Sequence, residues 1–230
     1  MIEKQKIGVS AAQETLGRIK TSGDLKILKD VEFLVEAVSE ALEIKGALFQ
    51  KLDRICPAET VFATNTSSLP IRKLALFTDR PIHFVGMHFM NPPPVMKLVE
   101  VIRGNLTSEE TVQLVVNLSR KLGKTPVQAN DYPGFIANRI LMPMINEAIC
   151  AFEQGVGSKE DIDTVMKVGM NHPMGPFELA DFIGLDVCLA IMRILYDGFQ
   201  DPKYRPSPLL EKMVELGRLG RKTKKGFYDY

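Results

Sequence analysis

Up to residue 130 the chain alternates short β-rich apolar runs with segments of helical period, and beyond Asp131-Tyr132-Pro133-Gly134 the β-rich runs stop. Val31–Val38, Thr60–Thr64, His83–Phe89, Lys97–Ile102 and Thr125–Ala129 read as strands. Between them, Ser39–Cys56 places Ala41, Ile44, Leu48, Leu52 and Ile55 three or four residues apart, the spacing of one helix face. Ser68–Phe77 predicts a short helix, and Ser108–Leu122 a longer one capped by Ser108. Residues 1–30 read as helix-like, without a clear strand. Strands alternating with helices imply βαβ units and a mostly parallel sheet. Pro-Gly then marks a boundary. Phe135–Phe152 carries a stripe of helical period, Ser158 opens a capping box ahead of Ile162, Pro176–Phe199 is largely apolar and helical, and Pro208–Leu219 ends the series. The fold class expected is α/β: a partial parallel-sheet domain over 1–131, then an all-helical domain over 132–230.

Composition narrows the function classes. A net charge of +1 gives no electrostatic case for nucleic acid or a membrane surface as partner. Three scattered cysteines, Cys56, Cys150 and Cys188, form no CxxC pair, which argues against a disulfide framework, and no metal site is expected. No apolar run reaches the length of a membrane span, and the first residues, MIEKQKIGVS, lack the apolar region of a secretory signal. The expected location is cytoplasmic, or a mitochondrial or peroxisomal matrix if an N-terminal address is missing.

The stretch Gly86–Glu100, GMHFMNPPPVMKLVE, carries the chemistry. His88 stands at the C-terminal end of a predicted parallel strand, where open α/β sheets bind ligands. Asn91 and three prolines impose a rigid loop, because proline fixes φ and removes a donor. The next strand can return Glu100 against His88; a carboxylate on one imidazole nitrogen sets the tautomer and leaves the other nitrogen free to accept a proton. A structural histidine fits the same pattern, and the residues alone leave both roles open. Asn65-Thr66-Ser67-Ser68 follows a strand and precedes a helix, so it serves equally as a helix cap or as a polar rim to a crevice. Asn138 lies in the first turn of an apolar helix, as a surface residue or a donor to a substrate. The run Arg221–Lys225 reads first as a solvated face.

Taken together, GMHFMNPPPVMKLVEVIRG, NTSSL, DYPGFIANRILMPMINEA, KEDIDTVMKVGMNHPMGPFELADFIGLD and GRKTKKGFYDY resemble the 3-hydroxyacyl-CoA dehydrogenases, over about residues 12–230 and in family order. The resemblance implies a Rossmann-type first domain, NAD as cofactor, and a 3-hydroxyacyl-CoA or acetoacetyl-CoA substrate in fatty acid metabolism. It makes His88 the general base, Glu100 its orienting partner, Ser67 a hydrogen-bond donor to the substrate oxygen and Asn138 a substrate-binding residue. Glu40, Lys45, Asn65, Asn91 and Lys222 match positions that touch NAD, and the helical domain implies a homodimer.

The pattern breaks in two places. No GxGxxG occurs in the sequence, so the first βαβ unit with its pyrophosphate loop is expected to be missing, with weak cofactor affinity and impaired activity as consequences. A non-catalytic paralogue or a dimerisation partner of the full-length enzyme is the alternative. A 6-phosphogluconate-type dehydrogenase is disfavoured, because its site centres on lysine rather than on a His–Glu stretch. Lys224 stands where the family commonly has glycine, which puts the turn of the tail in question.

Overall fold

The computed structural model describes residues 8–230. After a solvent-exposed helix α1 (Val9–Gly17), the chain builds β1 (Phe33–Glu36), α2 (Leu42–Asp53), β2 (Val61–Thr64), α3 (Ile71–Ala75), β3 (Phe84–Phe89), β4 (Leu98–Arg103), α4 (Glu109–Lys121) and β5 (Thr125–Asn130). The five strands lie side by side in sequence order. β1, β2 and β3 run parallel, β4 is antiparallel to β3, and β5 is parallel to β4. The antiparallel step follows from the short proline loop, since a parallel neighbour needs a crossover of about a dozen residues or more.

Helices cover both faces. Phe49 and Leu52 of α2 and Ile71 and Leu74 of α3 pack on Phe62, Phe84 and Ile102. Val112, Val115 and Val116 of α4 pack on Val61, Ala63, Val85, Met87, Val99 and Val101. Coverage on both sides is why the inner strands read as continuous apolar runs rather than alternating ones.

Several element ends differ from the sequence expectation. The helix predicted over Ser68–Phe77 contracts to Ile71–Ala75, and its first amides are capped by the distant Asp131 carboxylate, at 2.9 Å from Ile71 N and 2.8 Å from Arg72 N. Ser108 and Ser158 both cap as expected, each accepting from the backbone N–H three residues on. The reciprocal half of the Ser158 box does not form, because Asp161 Oδ2 accepts from the Ser158 hydroxyl instead.

The helical half comprises α5 (Ala137–Glu153), α6 (Lys159–Thr164), α7 (Pro176–Ile183), α8 (Leu185–Phe199) and α9 (Pro208–Glu215) around one core that includes Met142, Ile145, Phe177, Leu185, Met192 and Leu195. α5 starts two residues later than Phe135, because Gly134 and Phe135 both take positive φ, 73° and 50°. The segment Pro176–Phe199 is two helices, not one: Gly184 at φ 105° breaks it, a conformation that side chains resist.

The tail closes on two buried carboxylates. Asp181 accepts from Phe227 N, Tyr228 N and the Tyr230 hydroxyl; Asp163 accepts from Phe177 N, Glu178 N and the Tyr228 hydroxyl. The turn that brings the tail back places Lys224 at φ 57°. A non-glycine residue there costs ~1–2 kcal/mol, partly offset by the chain entropy that glycine would add to the unfolded state. Lys224→Gly is therefore expected to stabilise the protein by about 0.5–1 kcal/mol, raising Tm by roughly 1–4 °C in a thermal melt. A lowered Tm would show that the lysine side chain contributes more than its backbone loses.

Candidate active site

The proline loop and the antiparallel step put His88 and Glu100 directly opposite each other on β3 and β4. His88 Nδ1 lies 2.8 Å from Glu100 Oε2, and both residues are buried, at 6% and 1% exposure. The other carboxylate oxygen accepts from Ile136 N at 3.0 Å and Ala137 N at 2.9 Å, where the chain enters α5. Glu100 is thus held between an imidazole and the positive end of a helix. Burial pushes its carboxyl up, but the hydrogen bonds from His88, Ala137 and Ile136 outweigh this and hold it below the usual carboxylate range. An ionised Glu100 accepts from Nδ1–H, which places the free lone pair on Nε2. Among the described residues nothing hydrogen-bonds Nε2. Phe135 lies beside the imidazole, ring centroids 5.9 Å apart.

The polar run after β2 forms the second wall. Asn65 Oδ1 accepts from Phe89 N at 2.8 Å, tying this loop to the strand end just beyond His88. Asn138 Nδ2 donates to the Ser67 carbonyl at 3.1 Å and so links α5 to the loop. Glu40 gathers the rest: its Oε1 accepts from the Thr66 hydroxyl (2.5 Å), Ser67 N (2.8 Å), and Ser68 N and Oγ (both 3.0 Å). Burial raises the Glu40 carboxyl, yet the Thr66 hydroxyl, Lys45 and the two serines bring it below its ordinary value. The run is therefore not a cap for α3, the role Asp131 takes; it is shaped by an acid from the β1–α2 connection.

The remaining expected positions are placed differently. Lys45 is 1% exposed, its ammonium donating to Glu36 Oε1 (2.7 Å) and Val38 O (3.1 Å) and lying 3.3 Å from Glu40 Oε2. Asn91 is exposed in the proline loop and makes no side-chain hydrogen bond among the described residues. Lys222 sits in the tail turn and pairs with Asp186 on α8 at 2.5 Å. Direct hydrogen bonds thus pair His88 with Glu100 and link Asn138 through Ser67 to Glu40, Asn65 holds the backbone next to His88, and Asn91 and Lys222 make none of these contacts. Sequence reading assigned no role to Glu36 or Asp131; the local signal for Glu36 was an acid inside the apolar run FLVEAV.

A cleft of about 900 Å³ opens elsewhere, between Arg72, Arg103, Asn130 and Tyr132 on the sheet side and Gly198 and Phe199 of α8. It shares Ser68 with the polar loop but includes neither His88 nor Glu100. Hydrogen-bond geometry, not cavity size, locates the chemistry.

Comparisons with known proteins point to one family. A profile of the 3-hydroxyacyl-CoA dehydrogenase NAD binding domain matches residues 1–132, and one of the C-terminal domain of the same dehydrogenases matches residues 134–230. A probable 3-hydroxybutyryl-CoA dehydrogenase of Deinococcus radiodurans is 56% identical over 99% of the chain and 82% of the relative. The human mitochondrial hydroxyacyl-coenzyme A dehydrogenase is 46% identical over 99% of the chain and 73% of the relative. A crystal structure of (S)-3-hydroxybutyryl-CoA dehydrogenase from Ralstonia eutropha superposes with a TM-score of 0.97 at 48% identity, covering 100% of this chain and 81% of that one. Among the described residues no helix is long and apolar enough to cross a membrane.

Proposed function

The chain belongs to the 3-hydroxyacyl-CoA dehydrogenase family, and on that premise we propose that it interconverts (3S)-3-hydroxyacyl-CoA, such as 3-hydroxybutyryl-CoA, and 3-oxoacyl-CoA with NAD. The observation that carries this reading is the buried His88–Glu100 pair with Nε2 left free. His88 Nε2 takes the proton of the 3-hydroxyl in oxidation and returns it in reduction, a role contributing ~10²–10⁴ in rate. Glu100 keeps the imidazole in the basic tautomer and stabilises its protonated form. Ser67 offers its hydroxyl to the substrate oxygen, and Asn138 holds the Ser67 backbone in place while bordering the same crevice.

The residues fit the nicotinamide end of the cofactor. Asn65, Ser67 and Glu40 stand past the C-terminal ends of the parallel strands β1 and β2, where such sheets bind dinucleotides. Asn91 and Lys222 are the further candidates, and Lys45 acts from beneath through Glu40. When bound, NAD supplies the acceptor for the hydride leaving C3. The division between the cofactor half and the helical half falls at 131/132. We read the chain as a homodimer through the helical half, consistent with exposed Ile140, Val168, Met170 and Phe182, and as serving fatty acid oxidation.

The test is consumption of NADH with acetoacetyl-CoA, run beside a calorimetric titration of acetoacetyl-CoA. Turnover that depends on acetoacetyl-CoA is expected. Tight acetoacetyl-CoA binding with no turnover at saturating NADH would overturn the enzymatic reading in favour of a non-catalytic partner.

A further inference from the structure

Glu36, the last residue of β1, is an acid at 3% exposure in an otherwise apolar strand. An isolated buried carboxylate is costly, so its partners reveal what it is for. Oε1 accepts from Lys45 Nζ at 2.7 Å and from Val38 N at 2.6 Å; Oε2 accepts from the Thr64 hydroxyl at 2.7 Å. All of these belong to the segments that lead into the active-site crevice. Thr64 ends β2 immediately before Asn65. Val38 lies in the β1–α2 connection that carries Glu40. Lys45, on the buried face of α2, bridges from Glu36 to Glu40 Oε2 at 3.3 Å. Glu40 then turns its other oxygen onto Thr66, Ser67 and Ser68.

We propose that Glu36 is a positioning residue of the catalytic centre: through Lys45 it orients Glu40, and through Glu40 it sets the backbone and hydroxyl of Ser67 against Asn138. This rests on the reading of Ser67 and Asn138 as substrate-side residues. The geometry favours a relay over a simple structural ion pair, because Lys45 alone faces two carboxylates and Glu40 Oε1 alone gathers four donors from one loop. Without the Glu36 charge, the Lys45 ammonium has Glu40 as its nearest remaining anion. It draws that carboxylate down, and the four donors of the loop lose their common acceptor.

Two variants separate positioning from stability. Glu36→Gln leaves a buried ammonium short of its partner and is expected to lower Tm. The double variant Glu36→Gln/Lys45→Met removes both charges, and replacing a buried pair by neutral groups of similar volume is commonly tolerated. It is expected to recover most of the Tm but not the hold on Glu40. Amide hydrogen exchange of the intact chain gives the direct readout. In both variants, or in the double variant alone if the single one does not fold, the Ser67 and Ser68 amides are expected to exchange at least about tenfold faster, a shift of roughly 1.4 kcal/mol in opening free energy, with amides of α5 and α8 unchanged. Acetoacetyl-CoA affinity is expected to weaken in parallel. Unchanged protection at Ser67 and Ser68 in the folded double variant would overturn the proposal. So would a loss of protection spread evenly through α5 and α8. Neither outcome depends on turnover, so failure of the dehydrogenase reading in the NADH assay stays distinguishable from failure of this one.

Discussion

Glu100→Gln is expected to reduce kcat/KM for 3-hydroxybutyryl-CoA oxidation by about 10²–10⁴ while leaving the fold intact. The substitution is nearly isosteric, and the amide oxygen can still accept from Ile136 N and Ala137 N. The amide NH₂ then faces His88 Nδ1, so Nδ1 must become the acceptor and Nε2 must carry the hydrogen. The nitrogen that should take the hydroxyl proton arrives occupied. The imidazolium formed during oxidation also loses its counter-charge. His88→Ala, which deletes the base outright, is expected to fall in the same range. The comparison with Glu100→Asp tests the cause: a shortened carboxylate keeps the charge and should lose less than glutamine does. Equal loss in Asp and Gln variants would assign Glu100 a packing role instead.

The hydrogen bonds on Glu100 also give the stability of the fold an acid limb. Glu100 is held below the usual carboxylate range when folded. Its stabilisation is therefore complete above the unfolded value and is lost as pH falls through the lowered folded value. Glu40 acts in the same direction. In Glu100→Gln this part of the acid limb disappears, so stability measured at successively lower pH should decline less steeply than in the unmodified protein.

Asp181→Ala is expected to be the most damaging change outside the site, at about 3–5 kcal/mol, or roughly 6–20 °C in Tm. Asp181 is 1% exposed and, among the described residues, is the sole side-chain acceptor for Phe227 N and Tyr228 N, with the Tyr230 hydroxyl added. Truncation leaves those donors without a partner and frees the tail from α7. A second route to the same result is Gly226→Ala, because a Cβ there would stand 2.0 Å from Asp181 Oδ1. Lys222 lies in the turn closed by this latch, between Gly220 and Lys225. If it serves the cofactor, Asp181→Ala should also weaken NAD binding in calorimetry at a temperature where the variant remains folded. A stability loss below about 1 kcal/mol for both variants would show that the tail contributes little to the fold.

The strands, the helices and the switch between halves were legible because each is a local signal. β-rich runs, helical spacing in Ser39–Cys56 and Phe135–Phe152, and the Pro133-Gly134 break need only neighbours to be read. His88 and Glu100 were legible as a pair because one short proline loop joins two strands, which leaves little freedom in their register. The position of Lys222 relative to the rest was not legible, since it depends on how a tail folds back across the helical half. Nor was the break inside Pro176–Phe199, where a single glycine at positive φ interrupts an apolar pattern that continues on both sides.

Sequence by itself determined the family, the order of the two halves and the placing of His88 opposite Glu100, because motif, period and strand register are properties of adjacent residues. Tertiary structure alone decided what Glu40 binds, why Lys45 is buried, and that Asp131 and Asp181 cap distant backbone. The hydrogen bonds of Glu40, Asp131 and Asp181 join residues 26 to 60 positions apart, and a carboxylate bears no local mark of the amide it will meet once the chain is packed.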